Sequence, residues 1–366
     1  MRIDSKEKIV GLYKIVLCKE AESNYIEKGY RTCFVEDCHL RFEPDDVSIE
    51  IREKKGFFDS LSDGDVIDVL TNGVIRKAFE QKAGDNTLYI TDKCNSNCIM
   101  CPMPENVRRN GSNIRIDYLL SLIRYIPATL PHVTITGGEP FMIREKLFDI
   151  LGYLKEKCVG TEFLLLTNGR AFSIAGYAER LVNTAPSRFC VGIPIHGNNA
   201  RLHDSITRVN GSFEQTVDGI KKLIKGNVDV EIRIVVTRFN ADSFTDIARM
   251  IIKEYPNISS VKIMAMEMLG NAATHFNQVW IPYDEIFGKI KSAINLLVNN
   301  NIDVAIYNMP LCFVDEGYWY ICKKSISDYK IRYYDKCLDC NVKNLCGGVF
   351  AGTYRFLEDS VKPCIK

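Results

Sequence analysis

Three cysteines, Cys94, Cys98 and Cys101, lie in the run Cys-Asn-Ser-Asn-Cys-Ile-Met-Cys, directly after the apolar stretch Leu88-Tyr89-Ile90-Thr91. Three thiolates on one short loop can hold three irons of a four-iron cubane and leave the fourth iron without a protein ligand. Ordinary four-cysteine electron carriers cap every iron. A bare iron can be chelated by a small molecule and can pass it an electron. The rival reading of the same thiols is a zinc knuckle.

Two further groups carry chemistry. Gly137-Gly138-Glu139-Pro140 follows Val133-Thr134-Ile135-Thr136. Glycines at a strand end let backbone groups approach a ligand closely, although the same string also makes a plain tight turn. Near the C-terminus, Cys337-Leu-Asp-Cys340 is followed by Cys346, with Cys312, Cys322 and Cys364 in the same region. Clustered thiols in a cytosolic chain read as metal ligands rather than disulfides, and a four-thiolate site suits zinc as well as iron–sulfur.

These residues need a frame. From Leu88 onward short β-branched runs alternate with amphipathic stretches. Strands are predicted at Leu88–Thr91, Val133–Thr136, Glu162–Leu166, Phe189–Ile195, Val228–Thr237 and Val261–Met266, and helices near 116–125, 144–156, 174–183, 213–225, 242–254 and 283–299. Such alternation implies an α/β fold with a parallel sheet, here a partial (β/α)6 barrel over residues 86–307. Ligands gather at the carboxyl ends of parallel strands, where the cysteine loop and the glycine turn both fall. Ser212 with Gln215, and Asn240, are predicted as helix caps. Residues 1–85, with the polar–apolar alternation of Asp45–Arg52, form a small β-rich N-terminal module, in which Cys33 and Cys38 beside His39 read as buried thiols. Residues 308–366 are aromatic and cysteine-rich with little periodicity, so that metal ligation would supply their order.

Composition narrows the partners. Lys+Arg 47 against Asp+Glu 46 leaves no basic excess, which argues against a dedicated nucleic-acid surface. The apolar runs are too short to span a bilayer, and the N-terminus lacks a signal-like apolar segment, so a cytoplasmic location is expected.

The C-x3-C-x2-C loop at a strand end, followed one helix and one strand later by Gly-Gly-Glu-Pro, resembles the radical S-adenosylmethionine (SAM) superfamily. The resemblance implies that Cys94, Cys98 and Cys101 hold a [4Fe–4S] cluster whose open iron binds the amino and carboxylate groups of S-adenosyl-L-methionine. It implies that Gly137, Gly138, Glu139 and Pro140 meet the amino group, that Thr167 and Asn168 lie near the ribose, and that Met100 replaces an aromatic beside the adenine. Thr167-Asn168-Gly169 equally reads as an Asn-Gly turn. Pro194-Ile195-His196-Gly197 departs from the Ser-Ile-Asp-Gly of peptide-modifying relatives, whereas His203-Asp204 and Gly211-Ser212-Phe213 match them. Arg208 is expected to meet the cofactor carboxylate, one residue later than the usual arginine, with Arg233 or Arg238 as substitutes.

The C-x2-C-x5-C group is similar to SPASM and twitch extensions, which carry auxiliary [4Fe–4S] clusters. It implies one auxiliary cluster on Cys337, Cys340, Cys346 and Cys312, with Cys322 or Cys364 as alternative fourth ligands and zinc as the other occupant. The runs Met266–Gly270, Tyr307–Cys312 and Ser325–Asp328 look like the radical SAM maturases of the His-Xaa-Ser system. That resemblance implies reductive cleavage of S-adenosylmethionine to a 5′-deoxyadenosyl radical and oxidation or cross-linking of a ribosomally made precursor peptide. An electron donor such as ferredoxin or flavodoxin, and a partner radical SAM maturase, would be its associates. Two alternatives stay open: a radical enzyme acting on RNA or a small metabolite, and a non-catalytic iron–sulfur or zinc protein.

Overall fold

The computed structural model describes residues 9–36, 39–50, 56–57, 59–127 and 130–365. The chain opens with β1 (Gly11–Val16), α1 (Lys19–Glu27), β2 (Thr32–Glu36), β3 (His39–Glu43), β4 (Val47–Glu50), β5 (Val66–Val69) and β6 (Ile75–Phe79), whose strands form one sheet in the order β4-β3-β2-β1-β5-β6. Helix α1 returns the chain so that β1 and β2 run parallel, and the other neighbours are antiparallel. Strand alternation divides β1 between two cores. Tyr13 and Ile15 join Cys33, Leu40 and Phe42 beneath the sheet, while Leu12 faces the main core. Cys38 and the Ile51-Arg52 end of the expected alternation lie outside the described residues.

The second sheet has eight parallel strands in sequence order: β7 (Asn86–Tyr89), β8 (His132–Thr136), β9 (Glu162–Leu166), β10 (Phe189–Pro194), β11 (Asp229–Val235), β12 (Ser260–Met264), β13 (Asp303–Tyr307) and β14 (Cys322–Lys323). Parallel neighbours need crossovers, and helices supply them. These are α2 (Glu105–Asn110), α3 (Ile116–Tyr125), α4 (Lys146–Lys157), α5 (Tyr177–Thr184), α6 (Ala200–Thr207), α7 (Ser212–Lys225), α8 (Phe244–Glu254), α9 (Gly270–Thr274), α10 (Phe276–Val279) and α11 (Tyr283–Asn299). Leu88, Ile135, Leu165, Val191, Ile232, Ile263 and Ile306 are buried in the main core, whereas Thr87, Thr134, Leu164, Cys190, Glu231 and Tyr307 line the opposite, concave face. The sheet is an open half-barrel. Its six βα units are followed by β13, within the expected barrel range of 86–307, and by β14, which lies beyond that range and is added where Cys322 pairs with Ile306.

Both predicted caps take other roles. Gly211, in the left-handed region, precedes α7, and the Ser212 hydroxyl donates to Asp204 at 2.7 Å instead of capping the helix. Gln215 accepts from Arg170 Nε at 2.7 Å. Asn240 turns its side-chain oxygen back to the Thr237 N–H and makes no cap. After β13 the described chain consists of 3-10 turns, the short β14 and the two-residue pair β15 (Ile331–Arg332) and β16 (Val349–Phe350). No helix among the described residues is long and apolar enough to cross a membrane.

Candidate functional site

The cysteine loop leaves β7 through Thr91, whose hydroxyl donates to Asn113 Oδ1 at 2.7 Å and accepts the Lys93 N–H. Distant elements then strap the loop in place. The N–H groups of Asn97 and Ile99 donate to the carbonyls of Thr207 and Ile206, at the end of α6. The Asn271 N–H donates to the Cys101 carbonyl at 2.9 Å, and its side-chain amide donates to Asn97 Oδ1 and to the Cys98 carbonyl. Two guanidinium groups reach the span between Cys94 and Cys98. Arg170 donates to the Asn95 carbonyl and Ser96 hydroxyl, and the buried Arg108 donates to the Ser96 carbonyl at 2.6 Å and Asn97 Oδ1 at 2.7 Å.

Burial pushes the Cys94 thiol up to about 11 and the Cys98 thiol up to about 12; repulsion from neighbouring thiols adds to both, and Arg108 pulls both down. Thiols in such a setting stay protonated until a metal displaces the proton. Among the described residues no three His, Cys, Asp or Glu side chains converge closely enough to share one metal ion. A zinc knuckle needs that convergence. A cubane gives each thiolate a different iron, whereas zinc draws its thiolates onto one ion.

The glycine turn packs directly on this loop. The Gly138 N–H donates to the Thr91 carbonyl at 2.7 Å, and the Glu139 N–H to the Lys93 carbonyl at 2.8 Å. A β-carbon on Gly137 would lie 2.5 Å from the Thr91 carbonyl oxygen, and one on Gly138 2.3 Å from that of Lys93. Only glycine permits this approach of two backbones.

Glu139 is 1% exposed, and its carboxylate accepts from the Phe141 N–H, the Thr167 hydroxyl and the Asn168 N–H. Burial raises its carboxyl above the usual range, against the pull of these three donors. The carboxylate is therefore occupied within the fold, and the faces of the turn open to a ligand are backbone. Buried Pro140 begins the 3-10 turn Pro140–Ile143 behind it. Thr167 and Asn168 do more than turn the chain. Asn168 also donates to Asn95 Oδ1 at 2.7 Å, so that β9, the glycine turn and the cysteine loop form one hydrogen-bonded unit.

The other expected contacts are distributed differently. Met100 is buried in the main core next to Ile99. Arg208 is exposed in the left-handed region (φ 58°), one residue beyond the carbonyl that holds Asn97. Arg233 pairs with Glu231 and lies over the Tyr307 ring at 5.7 Å, inside the barrel. Arg238 donates to the carbonyls of Trp280 and Asn277 and is committed to that packing rather than to the strand ends. His196 stacks on His203 with ring centroids 5.8 Å apart; burial pushes them down to about 3 and about 4, so both are neutral. Asp204 organises the turn into α7 by accepting from Gly211, Ser212 and Phe213.

The concave face encloses a cavity of about 1970 Å³. Thr134, Arg233 and Tyr307 line its barrel side, Lys77 and Phe79 of β6 border it at one edge, and Ser325 and Tyr329 at another. A second, smaller cavity gathers Cys312, Cys337, Cys340 and Cys346 among Leu311, Val349 and Val361. Burial pushes the Cys312 thiol up to about 12 and raises Cys346, while the backbone N–H groups of Lys362, toward Cys312, and of Leu311 and Gly348, toward Cys346, oppose it. Cys364 bonds the Cys340 thiol from outside the lining, and the Cys322 thiol donates to the Tyr318 carbonyl at 3.7 Å.

Sequence reasoning did not single out Arg108, Arg170 or Asn271. Arg108 stands in the exposed-looking run Val107-Arg108-Arg109-Asn110, and Asn271 opens a short helix far along the chain, so neither carries a local signal.

Residues 88–251 match the radical SAM superfamily. An AdoMet-dependent heme synthase of Nitratidesulfovibrio vulgaris is 29% identical over 162 residues, which are 44% of this chain and 42% of that protein. A GTP 3′,8-cyclase of Moorella thermoacetica is 27% identical over 221 residues, 59% of this chain and 65% of that one. The chain thus spans about two fifths of the heme synthases it matches. Among solved structures, Streptococcus suis SuiB superimposes with a TM-score of 0.50 at 12% identity, covering 69% of this chain and 54% of that one, a likeness of fold.

Proposed function

We propose that this protein, whose residues 88–251 are a radical SAM superfamily domain, is a radical enzyme that modifies a ribosomally made peptide by oxidation or cross-linking. The observation that carries the peptide reading is the size of the concave cavity. At about 1970 Å³ it exceeds the roughly 300–1,000 Å³ of ordinary small-molecule pockets. It is also bordered by β6, which pairs only with β5 among the described residues and leaves an edge to which an extended peptide can add as a strand.

Cys94, Cys98 and Cys101 would hold a [4Fe–4S] cluster, with Arg108, Arg170 and Asn271 fixing their loop. The backbone of Gly137 and Gly138 would face the amino group of S-adenosylmethionine, Asn168 its ribose, Met100 its adenine and Arg208 its carboxylate. When bound, cluster and S-adenosylmethionine together supply a 5′-deoxyadenosyl radical that abstracts hydrogen from the substrate. The chain's own contribution is to orient S-adenosylmethionine and substrate relative to one another at the strand ends. Cys312, Cys337, Cys340 and Cys346 would hold an auxiliary [4Fe–4S] cluster in an apolar cavity whose backbone N–H groups tune it. Ferredoxin or flavodoxin would supply electrons, and a partner radical SAM maturase would act on the same peptide.

A second reading, a small-metabolite substrate, is favoured by the names of the heme synthase and GTP cyclase relatives. Anaerobic reconstitution, iron and sulfide counts and a deoxyadenosine assay under dithionite test the enzyme reading. Roughly eight irons per chain are expected for two cubanes. Changing Cys94, Cys98 and Cys101 together to Ala should abolish deoxyadenosine; wild-type protein that forms none refutes the reading. Incubation with a precursor peptide rich in His-Xaa-Ser repeats, followed by mass spectrometry, separates peptide from metabolite.

A further inference from the structure

Arg108 is 4% exposed, on the short helix that follows the cysteine loop. All three faces of its guanidinium are turned to that loop. Nη1 donates to the Ser96 carbonyl at 2.6 Å, Nη2 to Asn97 Oδ1 at 2.7 Å, and Nε to the Met103 carbonyl at 3.2 Å. No carboxylate pairs with it among the described residues. Glu105, whose carboxyl is lowered by its bond to Asn97 and by the charges of Arg109 and Arg108, bonds Arg109 directly at 2.6 Å. Buried arginines are ordinarily paired, because leaving water is costly for an isolated charge. Here no carboxylate bonds the guanidinium directly, and it is held instead on the chain between Cys94 and Cys98. The buried Glu139 carboxylate, the Cys101 thiol and the Arg108 guanidinium act on Cys94, and the neighbouring thiols and Arg108 act on Cys98.

Resting on the cluster assignment above, we infer that Arg108 is a positioning residue whose unpaired charge is balanced by the cluster on Cys94, Cys98 and Cys101, and which raises that cluster's reduction potential. The electrostatics follow from charge count. Three thiolates and a cubane make an anionic unit, and reduction by one electron adds another negative charge to it. A fixed cation, held beside the loop and screened from water, stabilises the reduced form more than the oxidised one. Arg170 also grips the loop, but it is half-exposed, so solvent weakens its field. Carbonyl-bound Arg108 thus does two things at once: it sets the path of the chain between Cys94 and Cys98, and it eases electron entry.

The test is a dithionite redox titration of anaerobically reconstituted full-length protein, followed by electron paramagnetic resonance. The loop cluster's signal is identified as the one lost in the variant with Cys94, Cys98 and Cys101 changed to Ala. R108M is expected to shift that cluster's midpoint to more negative potential, and R108K to return it toward the wild-type value. A loaded R108M cluster with an unmoved midpoint overturns the inference. If R108M takes up no iron at the loop, R108K decides. A loaded R108K cluster near the wild-type potential supports the inference, and an R108K that loses the cluster or falls well below the wild-type potential reduces Arg108 to a structural brace. Wild-type protein lacking any cluster dependent on these cysteines would instead sink the proposed function, so the two failures are distinguishable.

Discussion

Glu139 Oε2 accepts the backbone N–H of Asn168 at 2.7 Å, a bond that joins the turn after β8 to the end of β9. Asn168 in turn holds Asn95, next to Cys94, so a carboxylate that is itself shut away from solvent sets the geometry of the cysteine loop.

Replacing Glu139 with Ala leaves two backbone N–H groups and the Thr167 hydroxyl without their acceptor. Unmade buried hydrogen bonds cost about 1–3 kcal/mol each, so E139A is expected to lose about 3 kcal/mol or more of stability. E139Q, which keeps an acceptor oxygen and the volume, should lose less. Urea unfolding of cluster-free protein measures both.

Gly138→Ala places a methyl group 2.3 Å from the Lys93 carbonyl oxygen and 2.6 Å from that of Asp92. Neither obstacle is a mobile side chain, so the turn and the cysteine loop must separate. Iron content after reconstitution is expected to fall from roughly eight toward roughly four per chain, with the C-terminal share retained. Unchanged iron and deoxyadenosine yield would show that the contact is dispensable.

Lys14, on β1, is buried between the rings of Tyr25 and Tyr30, and burial together with the charge of Lys157 pushes it down to about 8 from 10.5. Between those two values the unfolded chain binds more protons than the folded one, so this lysine makes stability rise with pH across that window. Buried thiols such as Cys33, raised by burial, titrate with the opposite sense. The informative quantity is therefore the difference from K14M. That variant is expected to be more stable than wild type at neutral pH by about 1 kcal/mol or more, the gap closing between pH 8 and about 10.5. A gap that does not vary with pH would contradict the assignment.

Cys312, Cys337, Cys340 and Cys346 line one cavity, whereas Cys322 and Cys364 do not. Serine at any of the first four should cost most of the C-terminal iron, roughly four per chain, and C322S and C364S should retain it. Because ligation would order a region poor in regular structure, chelation should also open residues 308–365 to proteolysis before the barrel. Loss of iron in C364S with retention in C312S would exchange the roles of these two residues.

The parallel half-barrel was legible because its strands are short β-branched runs with helical periodicity between them, and both signals are local. The extra strands were less so. β13 falls at the end of the expected barrel range, and β14 is only two residues held by pairing with Ile306, a partner sixteen positions back. The caps failed for a related reason: Ser212 and Asn240 have the right types, but Asp204 and Thr237 offered them nearer partners in space.

What the sequence by itself determined is which atoms can do chemistry: three thiols within one loop, two glycines that let backbones touch, and a late cysteine group, since spacing along a strand end limits how far such groups can separate. What only the tertiary structure decided is how they are held. Whether the Glu139 carboxylate faces a ligand or the interior, which four late cysteines share a cavity, and that a buried guanidinium grips the chain between Cys94 and Cys98 all depend on how the chain packs. Burial and partner choice are properties of the packed chain, and the pattern of residue types along a window does not display them.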